Sequence, residues 1–225
     1  MSTPSTTATA PSPRTEVKRG AIRADYDAAT IRAIVDDGLL CHVACAVDGQ
    51  AFVIPMVYVR VGDELVLHGS TGNRVLRALQ GGALATVSIT HCDGLVLARS
   101  AFHHSVNYRS VTVYGRAREL AGDEKDRALT AFVEAVVPGR SQQCRPPNAD
   151  ELRRTLVLAI PLDEASSKWR AQGPLEEDGD WELPYWAGVV PLATSRGEAV
   201  ACERLSPGVS MPEGLDRPGE PVRLR

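Results

Sequence analysis

The sequence predicts a mainly β fold with peripheral helices, on three observations. From Leu39 to Gly69, short apolar and β-branched runs are separated by the pairs Asp48-Gly49 and Gly62-Asp63, which favour tight turns. Around Val111 the chain alternates, with Val111, Val113 and Ala117 set against Thr112, Tyr114 and Arg116, the period of a strand with one buried face. Helical spacing is confined to a few stretches between or after such runs. Consecutive antiparallel strands of this kind form a meander, which points to a sheet or barrel closed by later strands.

Composition narrows the function classes. At 225 residues and 44% hydrophobic content, the chain can bury one good core and is too short for two large domains. Lys and Arg number 25 against 28 Asp and Glu, a net charge of −3, so no basic field points to nucleic acid or to an anionic membrane surface; a small-molecule partner is expected. Cys41, Cys45, Cys92, Cys144 and Cys202 show no CxxC spacing, and no apolar segment of the signal-peptide kind follows Met1, which together predict reduced thiols and a cytoplasmic protein. No apolar run approaches the roughly 18 residues of a spanning helix. No metal site is expected: only His103 and His104 are adjacent, and Cys41 and Cys45 stand too far apart along a strand for a closed site.

Taken in order, residues 1–20 are rich in Ser, Thr, Pro and Ala with almost no large apolar anchor, and read as a disordered tail. Asp27 to Gly38 spaces Ile31, Ile34 and Val35 at helical intervals and ends at a glycine. Leu39–Val47 and Ala51–Val61 form a hairpin, with Pro55 marking an edge or a bulge because it donates no ladder hydrogen bond; Glu64–Gly69 follows as a third strand. In HGSTGNRVLRALQGG, from His68 to Gly82, Ser70 and Thr71 are expected to cap a helix whose apolar stripe is Val75, Leu76 and Leu79. The N–H groups of that start, the two hydroxyls and Arg74 or Arg77 suit a phosphate, although capped helices with a first-turn arginine are common and neither a P-loop nor a dinucleotide fingerprint is present.

Ala83–Cys92 and Gly94–Ser100 read as two strands joined at Asp93-Gly94, leading to the densest polar stretch of the chain, SAFHHSVNYRSVTVYG (Ser100 to Gly115). On these residues alone, a loop that holds an anionic ligand and a merely solvated loop look alike. A strand runs on to about Leu120; Gly122 to Gly139 is an amphipathic helix with Leu129, Phe132, Val133 and Val136 on one face; a short helix opens at Asn148; and Leu152–Leu162 is a nearly all-apolar strand. From Asp163 the chain turns rich in Trp, Pro, Gly and acid and reads as an extended arm, frayed after about Ala201.

As an ordered set, HVA in the first strand, VIPMVY, LVLHGSTGNRVLRAL, DGLVLARSAFHHSVNYRSVTVYG, SSKWR and WAGVVPL resemble the flavin-nucleotide-binding proteins related to pyridoxamine 5′-phosphate oxidase, in the branch that includes nitroimidazole-resistance proteins. The resemblance covers roughly Ala21 to Leu192. It implies an FMN-binding split β-barrel over 21–165, with an arm over 166–225 packing on the barrel or on a dimer partner, and a homodimer with two FMN sites at the subunit interface. Carried over residue by residue, it puts the flavin ring along Ile54, Pro55, Met56 and Val57 and the phosphate near Ser70, Asn73 and Arg74, with Ser105, Tyr108, Arg109 and Ser110 as further contacts and Trp186 and Gly188 near the partner's flavin. The oxidase's phosphate-site Arg-Lys pair reads here as Asn73-Arg74, and its substrate-phosphate residues find no match.

The expected activity is that of a flavin-dependent oxidoreductase passing electrons to a small electron-poor acceptor such as a nitroaromatic or a quinone, with His68 as candidate proton donor, because an imidazole titrates near neutrality. Two alternatives stand beside it. Split barrels of similar outline also bind haem, and His42, His68, His91, His103 and His104 offer axial ligands; a flavin-binding protein without turnover is the other.

Overall fold

The computed structural model describes residues 8–212 and residue 215. In chain order its elements are β1 (Ala24–Asp25), α1 (Ala28–Asp36), β2 (Leu40–Val47), β3 (Gln50–Val61), β4 (Glu64–Ser70), α2 (Arg74–Gln80), β5 (Leu84–Leu97), β6 (Ser105–Arg116), β7 (Arg118–Glu119), α3 (Gly122–Val136), α4 (Ala149–Arg154), β8 (Thr155–Pro161), β9 (Ala165–Arg170) and β10 (Gly188–Pro191). Two compact units share these elements: one holds the residues up to Cys92 and Asn107–Gln172, the other Asp93–Val106 and the residues from Gly173 on. No described helix is long and apolar enough to cross a membrane.

The first unit is built on a sheet of strand order β1-β9-β6-β5-β2-β3-β4-β8-β7. The Asp48-Gly49 turn forms as its composition predicts, with positive φ at both residues (50° and 76°), so β2 and β3 pair in register from Leu40↔Val57 to Val47↔Gln50. Alternate residues of these strands enter one core, among them Cys41, Val43, Tyr58, Leu65, Leu67, Val87, Val111, Val113 and Leu158, joined by Ile31, Ile34 and Val35 of α1 and Val75, Leu76 and Leu79 of α2. On the opposite face of β3, β4 and β8, the residues Val59, Val66, Val157 and Ala159 pack under Ala128 and Phe132 of α3. Each buried Val, Leu, Ile or Phe among these contributes about 1.5–3 kcal/mol on burial, so seating α1, α2 and α3 stabilises the sheet far more than helix propensity does.

Several elements differ from the sequence reading, each for a local reason. Where two strands were expected over Ala83–Ser100 there is one, Leu84–Leu97, because Gly94 lies opposite Pro191 of β10 and a Cβ there would come 3.1 Å from the Val190 carbonyl oxygen; the glycine serves close backbone approach rather than a turn. Leu152–Arg154 belong to α4, whose Asn148 and Glu151 form a capping box, and the strand begins at Thr155. In α3 the buried stripe centres on Ala128 and Phe132, while Val136 is exposed. The sheet continues past residue 165 into β9, where Ser167 donates its hydroxyl to the Asp25 carbonyl in the core. In the second unit β10 is a strand, Glu176 has a fully buried carboxylate that binds the Arg99 guanidinium at 3.1 Å, and Arg99 lies 5.5 Å from the Trp181 ring. Beyond Ala201 the described residues form turns without helix or strand. Of the expected tail, residues 1–7 lie outside the described residues; from Ala8 the chain is held by Thr15, which is 1% exposed, by the Val17 N–H on the Tyr26 hydroxyl and by the Arg19 carbonyl under the Lys168 ammonium.

The carboxy-terminal end of α1 shows how the helix is fastened. The Tyr58 hydroxyl donates to the Val35 carbonyl at 2.5 Å, and His91 Nε2 lies 2.9 Å from the Ile34 carbonyl, so two of the carbonyls that a helix end leaves without partners are answered from the sheet. Gly38 sits where these side chains converge, and a Cβ there would collide with the Tyr58 hydroxyl and approach the His91 ring to 3.0 Å. We expect Gly38→Ala to cost about 2 kcal/mol or more and Tyr58→Phe about 1–2 kcal/mol in urea unfolding, with the double variant costing less than the sum, because both changes break the same hydrogen bond.

Candidate functional site

The site forms where β3 changes neighbours. Gln50–Val57 pairs with β2, whereas Tyr58–Val61 pairs with Glu64–Leu67 of β4. Beyond Leu67, His68, Gly69 and Ser70 pair with Val157, Leu156 and Thr155 of β8 alone. Two strand edges therefore part at Tyr58 and Leu67, and among the described residues no strand pairs with Ile54–Val57 on that side. Pro55 falls in this half, where a residue without an N–H is tolerated. Under the parting, Gly69 lets α2 close in: a Cβ on it would stand 2.8 Å from Leu76 Cδ1 and 3.8 Å from Met56 Cε.

The turn from β4 into α2 forms one wall. Ser70 accepts the Asn73 N–H on its carbonyl at 2.9 Å and the Gly72 N–H on its hydroxyl at 3.2 Å. The helix cap is Asn73, whose Oδ1 accepts the Leu76 N–H at 3.1 Å; Ser70 and Thr71, expected as caps, end the strand and donate the Thr71 N–H to the Arg154 carbonyl instead. Arg74 is exposed and reaches to β3, with its guanidinium carbon 5.1 Å from the centre of the Phe52 ring. Ile54, Pro55, Met56, Val57, His68, Ser70, Asn73 and Arg74 thus belong to one neighbourhood within the first unit. Sequence reading passed over Phe52 and Gly69 there; Phe52 carried no signal beyond its place in an alternating strand.

His68 lies on the face of β4 that packs beneath α3. Its ring meets Phe132 edge-on, with centroids 4.2 Å apart, and its Nδ1 is buried without a hydrogen-bond partner. Burial pushes its pKa below the ordinary histidine value, so the imidazole is neutral at pH 7. His68 follows Leu67, the last β4 residue to pair with β3, and so stands where the two strands part.

Tyr108, Arg109 and Ser110 form a second group, on β6, where they face Arg170, Trp169 and Lys168 of β9. Ser110 donates its hydroxyl to the Lys168 carbonyl, and Arg109 is ion-paired with Asp37 at the end of α1. In the sheet, β5 and β2 stand between this group and β3, so along the sheet the two groups are about 14 Å apart at ordinary strand spacing. Ser105, Trp186 and Gly188 are in the second unit. There Trp186 is largely exposed and lies against Gly188, where a Cβ would come 2.9 Å from the indole. Of the other histidines, His103 contacts Glu177 and His104 Nδ1 the Ser100 carbonyl, while His42 is exposed on β2 opposite Pro55. Among the described residues no cluster of His, Cys, Asp and Glu has the makings of a metal site, and all five cysteines are free.

Comparison with known proteins gives three findings. The family model of pyridoxamine 5′-phosphate oxidase matches residues 27–169. The structure of the flavocytochrome Anf3 from Azotobacter vinelandii is 37% identical over 94% of this chain and 100% of its own, with a TM-score of 0.87; that of an FAD and haem binding protein from Mycobacterium smegmatis is 38% identical over 85% and 94%, with a TM-score of 0.82. A candidate 5-nitroimidazole antibiotic resistance protein from Bacteroides thetaiotaomicron, 20% identical over 65% of this chain and 86% of its own with a TM-score of 0.52, shares the fold. No curated protein matches the chain.

The neutral, buried His68 has a consequence for stability. Its pKa in the folded chain lies below the ordinary 6.5, so on acidification the unfolded chain takes up the proton first. Stability from this residue is complete above about pH 6.5 and is lost as the pH falls through the lowered value. We expect the urea midpoint of the wild type to fall more steeply between about pH 6.5 and 5 than that of His68→Gln, measured by circular dichroism.

Proposed function

The chain belongs to the pyridoxamine 5′-phosphate oxidase family, and from that premise we propose that it is a flavin-binding oxidoreductase whose nucleotide lies in the cleft where β3 and β4 part. The observation that carries this is the pair of open edges: backbone donors and acceptors of Ile54–Val57 on one side, and on the other a turn presenting the Ser70 hydroxyl and the exposed Arg74 guanidinium. These suit, in turn, the polar edge of a flavin ring and a phosphate of nearly two negative charges. FMN was the expectation from sequence, whereas the Mycobacterium relative is named for FAD; the cleft answers the part that both nucleotides share. Asn73-Arg74 in place of the oxidase's Arg-Lys pair argues against pyridoxamine phosphate as substrate. A bound flavin supplies hydride and electron transfer; this chain's residues bind and orient it, and His68, at the point where β3 and β4 part, handles a proton. The acceptor in this reading is a small electron-poor molecule, nitroaromatic or quinone-like. Five free thiols favour a reducing, cytoplasmic setting.

A homodimer completes the reading. The outward side of β2, β3 and β5 exposes Leu40 (61%), Val53 (60%) and Leu84 (39%), an apolar band that a second copy would cover. Across such an interface, Tyr108, Arg109 and Ser110 of one copy would reach the cleft of the other.

A haem is the second cofactor that we propose, supported by the two relatives at 37% and 38% identity, one named a flavocytochrome and the other a haem binding protein. The chain's chemistry fits it: His68 has a buried nitrogen without a partner, and His42 is exposed on the sheet. A haem supplies one-electron transfer when bound.

Arg74→Ala should weaken binding of FMN or FAD by about tenfold to a hundredfold, the loss expected for one charge-assisted contact; equal affinity in a fluorescence titration would move the phosphate elsewhere. With reduced flavin loaded, nitroaromatic turnover should rise as pH drops below 6.5, because His68 holds its proton only there, and His68→Gln should remove that rise and lower turnover at least roughly tenfold. Sedimentation should find a dimer that Val53→Glu splits; a wild-type monomer at micromolar concentration with flavin bound would end the dimer reading.

A further inference from the structure

Two arginines lie over an aromatic ring among the described residues, and they differ in what their guanidinium groups bind. Arg99 stands 5.5 Å from the centre of the Trp181 ring and also donates to the buried Glu176 carboxylate at 3.1 Å, so it already answers an anion of its own chain. Arg74 stands 5.1 Å from the centre of the Phe52 ring, and no described carboxylate or carbonyl accepts a hydrogen bond from its guanidinium. Arg77, one turn further along α2, is exposed with no described ring beside it. Arg74 is therefore held from one side and open on the other.

The ring beneath it is fixed by the sheet. The register set at the Asp48-Gly49 turn puts Phe52 opposite Cys45, and its side chain, half-buried, packs with Ile54 against the main core. A guanidinium is planar. Laid over a ring it uses its flat side, and the N–H groups in its plane stay available for an oxyanion, which the compact ammonium of a lysine would not allow in the same way. An unsupported arginine on a helix surface must give up side-chain freedom when it takes a ligand, whereas one already resting on a ring gives up less.

We propose that Phe52 is the positioning residue for the flavin phosphate: its ring holds the Arg74 guanidinium beside the Ser70 turn with the N–H edge free for the phosphate oxygens. The proposal rests on the flavin reading above and deepens it by naming the group that sets the preference for a phosphorylated flavin. Phe52 acts through Arg74 alone, so its influence extends only to ligands that carry a phosphate. The attraction of an exposed cation to a ring, together with the ordering of one long side chain, amounts to about threefold to tenfold in affinity.

The test is a fluorescence titration of the full-length protein with FMN and with riboflavin, two probes that differ only in the phosphate. The wild type should hold FMN more tightly than riboflavin. Phe52→Leu, which keeps an apolar side chain against the core, should weaken FMN about threefold to tenfold and leave riboflavin as it was. Phe52→Met, unbranched and able to fill the same gap, is the second ringless variant, and Phe52→Tyr, which restores the ring, should return FMN affinity to that of the wild type. With Arg74→Ala already in place, Phe52→Leu should have no further effect on FMN. A Phe52 that merely supports the fold, or that stacks on the flavin itself, would move both ligands together. Equal loss of FMN and riboflavin in the ringless variants, undiminished FMN affinity in them, or a loss that persists beside Arg74→Ala would each overturn the proposal. A wild type that holds FMN and riboflavin alike would overturn it while the flavin reading stands, and one that binds neither would remove both.

Discussion

A strand has two edges, and the way β3 divides its own between neighbours governs the rest of the molecule. Its first eight residues hydrogen-bond to β2 and its last four to β4. Had β4 stayed alongside, the sheet would be continuous and the Ile54–Val57 edge would be filled. Because β4 turns to β8 instead, a wedge opens that α2 plugs from below with Val75, Leu76 and Leu79, leaving the upper part to the Ser70–Arg74 turn. Gly69 makes this possible, since any side chain there would push Leu76, and with it the helix, away. The core specifies where the strands part, and the parting leaves the backbone groups of Ile54–Val57 on that side unpaired among the described strands.

The thiols illustrate what the core does to chemistry. Cys41, in the strand paired with the cleft residues, is by position a redox candidate. Burial pushes its pKa up to about 12, and its Sγ donates to the Met56 carbonyl at 3.5 Å. It packs as a small apolar side chain. The same desolvation acts in the other direction on His68, which it keeps neutral. One apolar interior therefore keeps a thiol protonated and an imidazole neutral within neighbouring strands.

How much of this was legible in the sequence depended on whether the signal was local. The Asp-Gly hairpin, the α1 stripe of Ile31, Ile34 and Val35, and the strand after the polar stretch are written in adjacent residues and follow from period and turn chemistry. The cap of α2 falls at Asn73, past the expected Ser70 and Thr71, because Ser, Thr and Asn all suit the role, and only the β4–β8 pairing decides which of them remains free of the strand. The Asp93-Gly94 pair misled for a similar reason: its glycine answers to β10, about a hundred residues away in sequence. Ser167 and Arg170 read as parts of a polar arm, since nothing nearby shows that β6 will cover them. The residues proposed for the cleft came from an ordered set of motifs, whereas the way a low-complexity segment before Ala21 folds back onto β9 left no local signature.

That segment carries a kinetic meaning. It is held by the Val17 N–H on Tyr26, by the Arg19 carbonyl under Lys168 and by the exposed pair of Arg14 and Glu164. Three such ties amount to a few kcal/mol, of order 2–4, far less than unfolding the sheet. Such a strap detaches from the sheet far more often than the sheet itself unfolds, so amide exchange and proteolysis reach residues 8–19 first.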